Sequence, residues 1–277
     1  RASEMLLRPV AMNRRMHNKA WIADGRVAVV GGRNVGDEYF DAAAQTNFLD
    51  LDAVLVGPAV GQTSVIFDDF WNSASVIPLA ALSGAEEGAL VRLRAHGDAG
   101  YRSTRAADYV ARLRRSPGLP ALVGGNALHW LDEVGVYSDP AAKGQGEGKA
   151  QWLVHRLGRA MGLAKRELRV ISPYFVPGEE GTRWLVGKRA QGVDVSVLTN
   201  SLAANDVMAV HGGYAPYRVP LLEGGVTLYE LMPHGRQDSS LFGSSGASLH
   251  TRAFAGDAGR GFSGSVSRAG LPAGTTS

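Results

Sequence analysis

The second half of the chain alternates short apolar runs with longer amphipathic stretches. Runs rich in Val, Ile and Leu, bounded by turn-forming residues, predict strands at residues 168–172, 193–199 and 226–231. Apolar positions that recur with helical spacing predict helices at residues 151–167, 179–191 and 206–223. Strands that alternate with helices predict an α/β fold, with the helices packed on a central sheet.

The first half carries the same signals more weakly. Residues 26–30 and 51–56 predict strands, and residues 60–72 predict a helix. Residues 73–125 are rich in arginine and show no clear period. We predict that this stretch is a solvated helical surface, and the alternative is a patch that faces phosphate or a membrane.

Two glycine-rich segments predict irregular structure. Residues 140–148 predict a flexible loop, which we place between an N-terminal domain at residues 1–140 and a C-terminal domain at residues 141–277. Residues 258–277 are rich in Gly and Ser and have few large apolar side chains. We therefore predict weak order and no regular strand after Asp257.

One short pattern occurs twice, 233 residues apart, and is the most informative feature of the chain. Each copy has a histidine, a basic residue two positions later and an aspartate five positions after that: His17, Lys19 and Asp24, then His250, Arg252 and Asp257. A turn of small residues follows each copy at the same offset, at residues 31–34 and 264–267. A single match is weak, but a matched pair with matched turns predicts two half-sites that face one cleft.

Two histidines suit the transfer of a phosphodiester. One imidazole can attack phosphorus and form a covalent phosphohistidine, while the other protonates the leaving oxygen and then deprotonates the incoming water or alcohol. An unperturbed histidine pKa near 6.5 suits both roles. Residues two positions apart lie on the same side of a strand, so we expect each histidine and its basic partner on a strand.

Other residues near the motifs supply groups that can bind phosphate. Lys19 and Arg252 would hold the non-bridging oxygens as charge shifts in the transition state. Asn34 and Ser265 would donate hydrogen bonds to the same oxygens, and Gly32 would let the backbone approach them closely.

The carboxylates and one further histidine complete the set of candidates. Asp24 and Asp257 belong to the catalytic pattern, with the shaping of a turn as the alternative. Asp50, at the entry to a predicted strand, would orient an imidazole. His211 would touch the substrate headgroup, with a structural hydrogen bond as the alternative.

Composition narrows the class of protein. The 277 residues are 45% hydrophobic and 20% charged, as in ordinary globular proteins. The absence of cysteine excludes disulfides and thiolate metal sites, and the seven histidines show no ligand spacing, so we predict no metal and no cofactor. A net charge of +3 and a pI near 9.3 are compatible with an anionic partner such as phospholipid or nucleic acid. No apolar run reaches 18 residues, so we predict no membrane span.

The two motifs and the residues between them resemble a known family. The superfamily of phospholipase D carries a duplicated His-x-Lys-x4-Asp, followed by a turn of the type Gly-Gly/Ser-x-Asn. The chain is similar to it, and within it to the bacterial cardiolipin synthases of the C type. The stretches that carry the resemblance are residues 16–40, 48–60, 171–178, 198–218, 221–231 and 248–257.

The resemblance implies a fold, a reaction and a location. It implies two α/β lobes, each a central sheet flanked by helices, with His17 and His250 meeting between them. It also implies phosphatidyl transfer without metal, from a phospholipid donor to a lipid such as phosphatidylglycerol, at the surface of the bacterial inner membrane. By the family pattern His17 is the nucleophile and His250 the acid, although the sequence alone leaves this order open.

The chain departs from the family pattern at its C-terminal end. Arg252 stands where the family has lysine, and Ser267 stands where asparagine is usual. We therefore expect a fragment that is incomplete at both ends. Two alternatives to cardiolipin synthesis remain: a phosphodiesterase or nuclease of the same superfamily, and an inactive remnant that binds anionic lipid.

Overall fold

The computed structural model describes residues 17–43, 47–82, 84, 86–116, 124, 129–205, 208–232, 247–257 and 260–264. The chain forms two compact units, one of Arg1–Ser73 with Val136–Ser277 and the other of Ala74–Gly135. The first unit contains both motifs. The division of the chain at residues 140 and 141 stays a prediction.

The N-terminal part of the first unit is a small antiparallel sheet covered by one helix. Its elements are β1 (Lys19–Ala23), β2 (Val27–Gly31), β3 (Asn47–Leu49), β4 (Asp52–Val56) and α1 (Pro58–Trp71). The sheet has the order β1-β2-β4, and α1 contacts all three strands. Ala28, Val60 and Thr63 are buried. The predictions of two strands and a helix here are confirmed to within two residues at each boundary.

The second unit is helical and exposed. It contains α2 (Leu79–Leu82), α3 (Ala89–Tyr101) and α4 (Thr104–Arg115). Ser103 caps α4, because its side chain accepts a hydrogen bond from the backbone N–H of Ala106 at 3.1 Å. The described residues of this stretch are largely helical and exposed, as predicted, while the choice between a solvated surface and a patch that faces phosphate or a membrane stays a prediction.

The C-terminal part of the first unit is a five-stranded sheet with three helices. Its elements are α5 (Leu153–Gly162), β5 (Glu167–Ile171), α6 (Gly178–Ala190), β6 (Asp194–Asn200), α7 (Met208–Glu223), β7 (Thr227–Leu231), β8 (Ala247–Leu249), β9 (Arg252–Gly256) and β10 (Arg260–Gly264). The sheet order is β10-β9-β5-β6-β7, in which β5, β6 and β7 are parallel. Strand β6 and helix α7 supply much of the core, with Val195, Val197, Tyr214 and Leu221 almost fully buried.

Helix α5 ends earlier than the apolar pattern predicts. The prediction ran to residue 167, but the helix ends at Gly162 and β5 begins at Glu167. The buried Lys188 side chain donates to the carbonyl oxygens of Gly162 and Ala164, at 2.6 and 3.2 Å. These bonds satisfy carbonyl groups that lack a helical partner at the end of α5.

The glycine-rich segment at residues 140–148 is not the flexible loop that was predicted. It contains a short 3-10 helix, Ala141–Gln145, next to a buried ion pair. Lys143 Nζ lies 2.6 Å from Asp139 Oδ2, and the other Asp139 oxygen accepts from the N–H of Leu153 at 2.8 Å. A buried pair orders the segment because each charge needs its partner.

The prediction that no regular strand follows Asp257 was wrong. Strand β10 pairs antiparallel with β9, and Phe262 stacks on Phe254 with ring centroids 5.8 Å apart. Backbone pairing and one cross-strand aromatic contact outweigh the weak strand propensity of the intervening Gly and Ser. Residues 265–277 lie outside the described residues.

Candidate active site

The two motifs form hairpins with the same register. Lys19 pairs with Gly31 across β1 and β2, and Arg252 pairs with Gly264 across β9 and β10. Each partner lies 12 residues after its basic residue, so the duplication in sequence is also a duplication in structure. In both copies the basic residue is the first residue of the strand and the histidine lies two residues before it. The prediction that each histidine shares a strand with its basic partner was therefore wrong.

A two-stranded parallel sheet brings the two halves of the site together. Strand β3 pairs with β8, with Leu49 opposite Leu249, and the N–H of His250 donates to the carbonyl oxygen of Leu49 at 2.9 Å. The side chain of Asn200, at the end of β6, bonds both the N–H and the carbonyl of Leu249 at 2.9 Å. Because each strand ends one residue before a candidate, Asp50 and His250 meet.

His250 is buried against a carboxylate and aromatic rings. Its Nδ1 lies 2.8 Å from Asp50 Oδ2, and the hydroxyl of Thr251 donates to Asp50 Oδ1 at 2.7 Å. Tyr39 packs edge-on against the His250 ring with centroids 5.2 Å apart, and the Phe48 ring lies at 5.4 Å. These contacts fix the ring orientation.

The charge of Asp50 decides which nitrogen of His250 carries the proton. Burial alone would raise the pKa of Asp50, but hydrogen bonds from His250, Thr251 and the N–H of Leu51 bring this pKa below its ordinary value. Asp50 is therefore an anion that only accepts hydrogen bonds. It follows that Nδ1 of His250 is the donor, which leaves Nε2 to exchange a proton with a ligand.

His17 lies beside His250 and against its own basic partner. The two imidazole centroids are 6.4 Å apart with the ring planes tilted by 32°. Lys19 Nζ lies 2.9 Å from His17 Nδ1 and 3.1 Å from Nε2, and it also donates to the His17 carbonyl oxygen at 2.9 Å. The structure thus brings both histidines to one place, with an ammonium group at the edge of the first.

Burial and neighbouring positive charges set the ionisation of the first motif. Desolvation, followed by the charges of Lys19 and Arg252, lowers the pKa of His17 to about 4. Desolvation also lowers the pKa of Lys19 to about 8, against the opposing effect of Asp50. At neutral pH His17 therefore carries an unprotonated nitrogen while Lys19 remains mostly charged.

Arg252 faces an aromatic ring. Its guanidinium carbon lies 5.6 Å from the centroid of Tyr174, which follows β5, and burial lowers its pKa. Strands β5 and β9 pair so that Ile171 lies opposite Ala253, which places the residues after β5 beside Arg252. A planar guanidinium can stack on an aromatic face in a way that an ammonium does not reproduce.

The first small-residue turn makes room for Asp50. A Cβ atom at Gly32 would lie only 2.8 Å from each carboxylate oxygen of Asp50. Gly32 therefore lets Asp50 approach the backbone closely. The predicted approach of this backbone to phosphate stays a prediction. Arg33 donates from Nη2 to the Asp50 carbonyl oxygen at 3.1 Å, and its Nε lies 2.5 Å from Asp52.

Asn34 supports the aromatic wall of the site. Its amide donates to the hydroxyl oxygen of Tyr39 at 2.7 Å, and Tyr39 packs against His250. Its predicted contact with a phosphoryl oxygen stays a prediction.

The structure does not bring the two motif aspartates to the histidines. Asp24 and Asp257 lie past the far ends of β1 and β9, about five residues or roughly 17 Å of extended strand from the basic residues. Both occupy turns with positive φ, 52° and 35°. Asp257 accepts hydrogen bonds from the backbone N–H groups of residues 165, 166 and 167 at 2.7 to 3.0 Å. Mainly because of these bonds, the pKa of Asp257 falls to about 2.

His211 and Ser265 are the remaining candidates from the sequence. His211 is on α7 with its ring 5.8 Å from that of Tyr214, and its buried Nδ1 finds no hydrogen-bond partner among the described residues. Ser265 lies outside the described residues. Among the residues that the structure describes, no three His, Asp or Glu side chains are grouped to hold a metal ion. No helix there has the length and apolar character to cross a bilayer.

Sequence reasoning missed the residues that hold His250. Thr251 occupies the variable position between the motif histidine and its basic partner, where nothing in the pattern requires a hydroxyl. Asn200 and Tyr39 act only through tertiary contacts. The one available signal for Asn200 was an amide side chain directly after a predicted strand.

A groove opens beside the first motif. It has a volume of about 420 Å³, and its lining includes Lys19, Trp21, Val29, Arg33 and Phe40. The wall is mostly apolar, and the ammonium group of the lining residue Lys19 contacts His17.

Comparison with known proteins finds relatives that match most of the chain. No protein-family model matches it. It is 40% identical over 266 residues to cardiolipin synthase C of Escherichia coli (strain K12), a match that covers 91% of this chain and 56% of that protein. It is 28% identical over 238 residues to an uncharacterized protein of Helicobacter pylori (strain J99), covering 82% of this chain and 45% of the relative.

More distant relatives bear related names. Cardiolipin synthase A of Pseudomonas syringae pv. syringae (strain B728a) is 25% identical over 226 residues, which covers 80% of this chain and 37% of that protein. The chain thus spans about half the length, or less, of these curated relatives. Its duplicated hairpins, its mixed α/β architecture and its 40% identity over nine-tenths of its length together show that the chain belongs to the phospholipase D superfamily, among the relatives of cardiolipin synthase.

Proposed function

We propose that this chain carries the active site of a phosphatidyltransferase that works through a phosphohistidine and makes cardiolipin from phosphatidylglycerol and a second phospholipid. The observation that carries the proposal is the 6.4 Å separation of the His17 and His250 rings, each with a basic residue of its own motif. One phosphoryl group fits between two imidazoles at this separation. The E. coli relative is named cardiolipin synthase C, which supports the lipid substrate.

In the first step His17 attacks phosphorus. Its unprotonated nitrogen forms the N–P bond as the P–O bond to the leaving alcohol breaks, and Nε2 of His250 gives its proton to that oxygen. The Lys19 ammonium leaves its contact with the His17 ring and binds a phosphoryl oxygen instead, and Arg252 binds a second phosphoryl oxygen. Both positive charges then act where negative charge concentrates in the transition state. The Asp50 carboxylate keeps the His250 ring in its orientation throughout.

In the second step the acceptor alcohol enters. His250, now neutral, takes the proton of the acceptor hydroxyl, whose oxygen attacks phosphorus as the N–P bond breaks. This regenerates neutral His17 and protonated His250, so no metal or cofactor is needed to balance the reaction. Substrates of this kind reside in a bilayer, so we also propose peripheral contact with the bacterial inner membrane.

An activated lipid substrate separates the two histidine roles. With phosphatidyl-p-nitrophenol the leaving group needs no proton, so His250→Ala should release p-nitrophenol in a burst and keep the phosphatidyl label on the protein. His17→Ala should form no label, and His155→Ala, at an exposed position outside the site, should behave as the wild type. The label should survive an alkaline denaturing quench and be lost in acid, as a phosphoramidate is.

Three results would contradict the proposal. Label in His17→Ala would exclude His17 as the nucleophile. Turnover of single-stranded DNA without turnover of lipid would assign the site to a nuclease. Neither label nor turnover with any substrate would identify the chain as an inactive lipid-binding remnant.

A further inference from the structure

Helix α3 of the second unit exposes an apolar stripe. No residue of α3 is buried, and Leu90, Leu93 and Tyr101 are 57%, 67% and 67% exposed. Together with Gly97 these positions follow a helical spacing, so they lie along one side of the helix. Large apolar side chains exposed along one side of a helix mark an interaction site more often than isolated exposed leucines do.

The same pair of helices carries a strong positive charge. Residues 89–115 contain seven arginines and only two aspartates. Arg112, Arg114 and Arg115 lie in the last turn of α4, and all three are exposed. Among the described residues, neither Arg114 nor Arg115 forms an ion pair with a carboxylate, so their charge is available to an anionic partner.

Helix α4 has two different faces. Ala106, Tyr109 and Val110 are partly buried, while Arg115 lies on the opposite side of the helix. The guanidinium carbon of Arg112 lies 5.7 Å from the centroid of the Tyr109 ring, so Arg112 flanks the partly buried face. A simpler explanation for the arginines at the end of α4 is that positive charges in the last turn stabilise the carboxyl end of a helix. That effect explains neither the exposed leucines of α3 nor the excess of arginine along both helices.

We propose that α3 and α4 bind the surface of an anionic phospholipid bilayer. Exposed leucines can enter the boundary between headgroups and acyl chains, while arginines bind the headgroup phosphates. A nucleic acid would match the arginines but not an aliphatic stripe. The proposal rests on the proposed function, because a phosphatidyltransferase must reach substrates that reside in a bilayer.

Vesicle binding by the whole chain tests this surface. The vesicles contain phosphatidylcholine alone or phosphatidylcholine with phosphatidylglycerol, and the charge variant is Arg112→Gln with Arg114→Gln and Arg115→Gln. Glutamine is a good helix former, so α4 should persist in the circular dichroism spectrum. Because each arginine near an anionic surface contributes roughly a fivefold gain in affinity, the variant should bind vesicles that contain phosphatidylglycerol about a hundredfold more weakly.

A matched control removes the same charge elsewhere. Arg159→Gln with Lys165→Gln and Arg183→Gln neutralises three exposed basic residues of the first unit and should leave affinity within a few-fold of the wild type. Leu90→Gln with Leu93→Gln should weaken the binding that persists at high salt, where electrostatic attraction is screened. Equal losses in the control and charge variants would overturn the proposal, since net charge alone would then explain binding.

Further readouts distinguish this proposal from the proposed function. His17→Ala should bind vesicles as the wild type does, whereas the helix variants should still form the phosphatidyl label from a short-chain substrate that is free in solution. If the wild type forms no label but vesicle binding follows the expected pattern, the proposed bilayer-binding surface is supported and the proposed reaction is refuted. If the helix variants change only the oligomeric state of the free protein, or only binding to single-stranded DNA, the bilayer proposal is overturned.

Discussion

Asp50 and His250 are 200 residues apart in the chain, and Asp50 Oδ2 lies 2.8 Å from Nδ1 of His250. The carboxylate comes from the N-terminal sheet region and the imidazole from the second motif. One half of the duplicated sequence therefore orients the histidine of the other half. A site with this dependence needs both halves in place, because neither motif alone contains an oriented pair.

Removal of the Asp50 charge should strongly reduce turnover. Asp50→Asn keeps the size of the side chain but no longer ensures that Nδ1 of His250 carries the proton. We expect kcat to fall by about 10² to 10⁴, the usual contribution of general acid–base catalysis. The control is Asp52→Asn, at a position two residues after Asp50. This variant alters the ion pair between Asp52 and Arg33 and should have a much smaller effect on kcat. Similar losses in both variants would argue against a specific role for Asp50.

A methyl group at Gly32 should displace the same carboxylate. Gly32→Ala places a Cβ atom 2.8 Å from both oxygens of Asp50, so the carboxylate or the turn must move. Overpacking of this kind costs about 1–3 kcal/mol, and kcat should fall with it. Gly61→Ala, at a helical position with no neighbour within 4 Å, should leave kcat unchanged. Unimpaired catalysis by Gly32→Ala would show that the position of Asp50 does not matter.

The first half-reaction should depend on pH through Lys19 and His17. With the p-nitrophenyl leaving group the reaction does not need an acid, so label formation reports only nucleophile and phosphate binding. His17, with its pKa lowered to about 4, stays unprotonated from about pH 5 upwards, and Lys19 loses its charge above its pKa of about 8. The rate should be nearly constant from about pH 5 to 7 and fall above pH 8.

Lys19→Arg tests the assignment of the alkaline decrease. Arginine stays charged, so the decrease should disappear in this variant even if the overall rate is lower. An acid limb centred near 6.5 in the wild type would show that the His17 pKa is not lowered.

Tyr174 should position Arg252 through its ring. Tyr174→Phe keeps the aromatic face, whereas Tyr174→Leu removes it and should cost about 0.5–2 kcal/mol of transition-state stabilisation. The loss should appear in kcat more than in KM, because Arg252 acts on developing charge. In an Arg252→Lys background the same leucine substitution should have less effect, and full additivity in this double-mutant cycle would exclude the coupling.

Asp257 should contribute to stability instead of chemistry. Its pKa is lowered to about 2 in the folded chain, so its stabilising effect is present above the ordinary pKa of 3.8 and disappears as the pH falls from about 4 through 2. Asp257→Ala should lower the melting temperature at pH 7 and flatten stability across that acidic window. Asp24→Ala places alanine at a similar positive φ without losing comparable hydrogen bonds among the described residues, so it controls for backbone strain.

The sequence by itself determined the elements and the chemical groups of the site. Apolar periodicity placed most strands and helices within two residues, since buried faces repeat with the period of the backbone. The duplicated motif identified His17, Lys19, His250 and Arg252, because chemistry restricts which side chains can serve. Apolar periodicity overextended α5, whose end is set by hydrogen bonds from Lys188. It also missed β10, because pairing with β9 outweighs the weak local strand propensity.

Tertiary structure alone decided how those groups relate. Only the pairing of β3 with β8 joins Asp50 to His250, and only the folded hairpins carry Asp24 and Asp257 away from the histidines. Sequence spacing cannot carry this information, because contacts between residues 200 positions apart depend on which strands pair in the folded chain. The lowered pKa of His17 likewise follows from burial and from charges on both motifs, which exist only after folding.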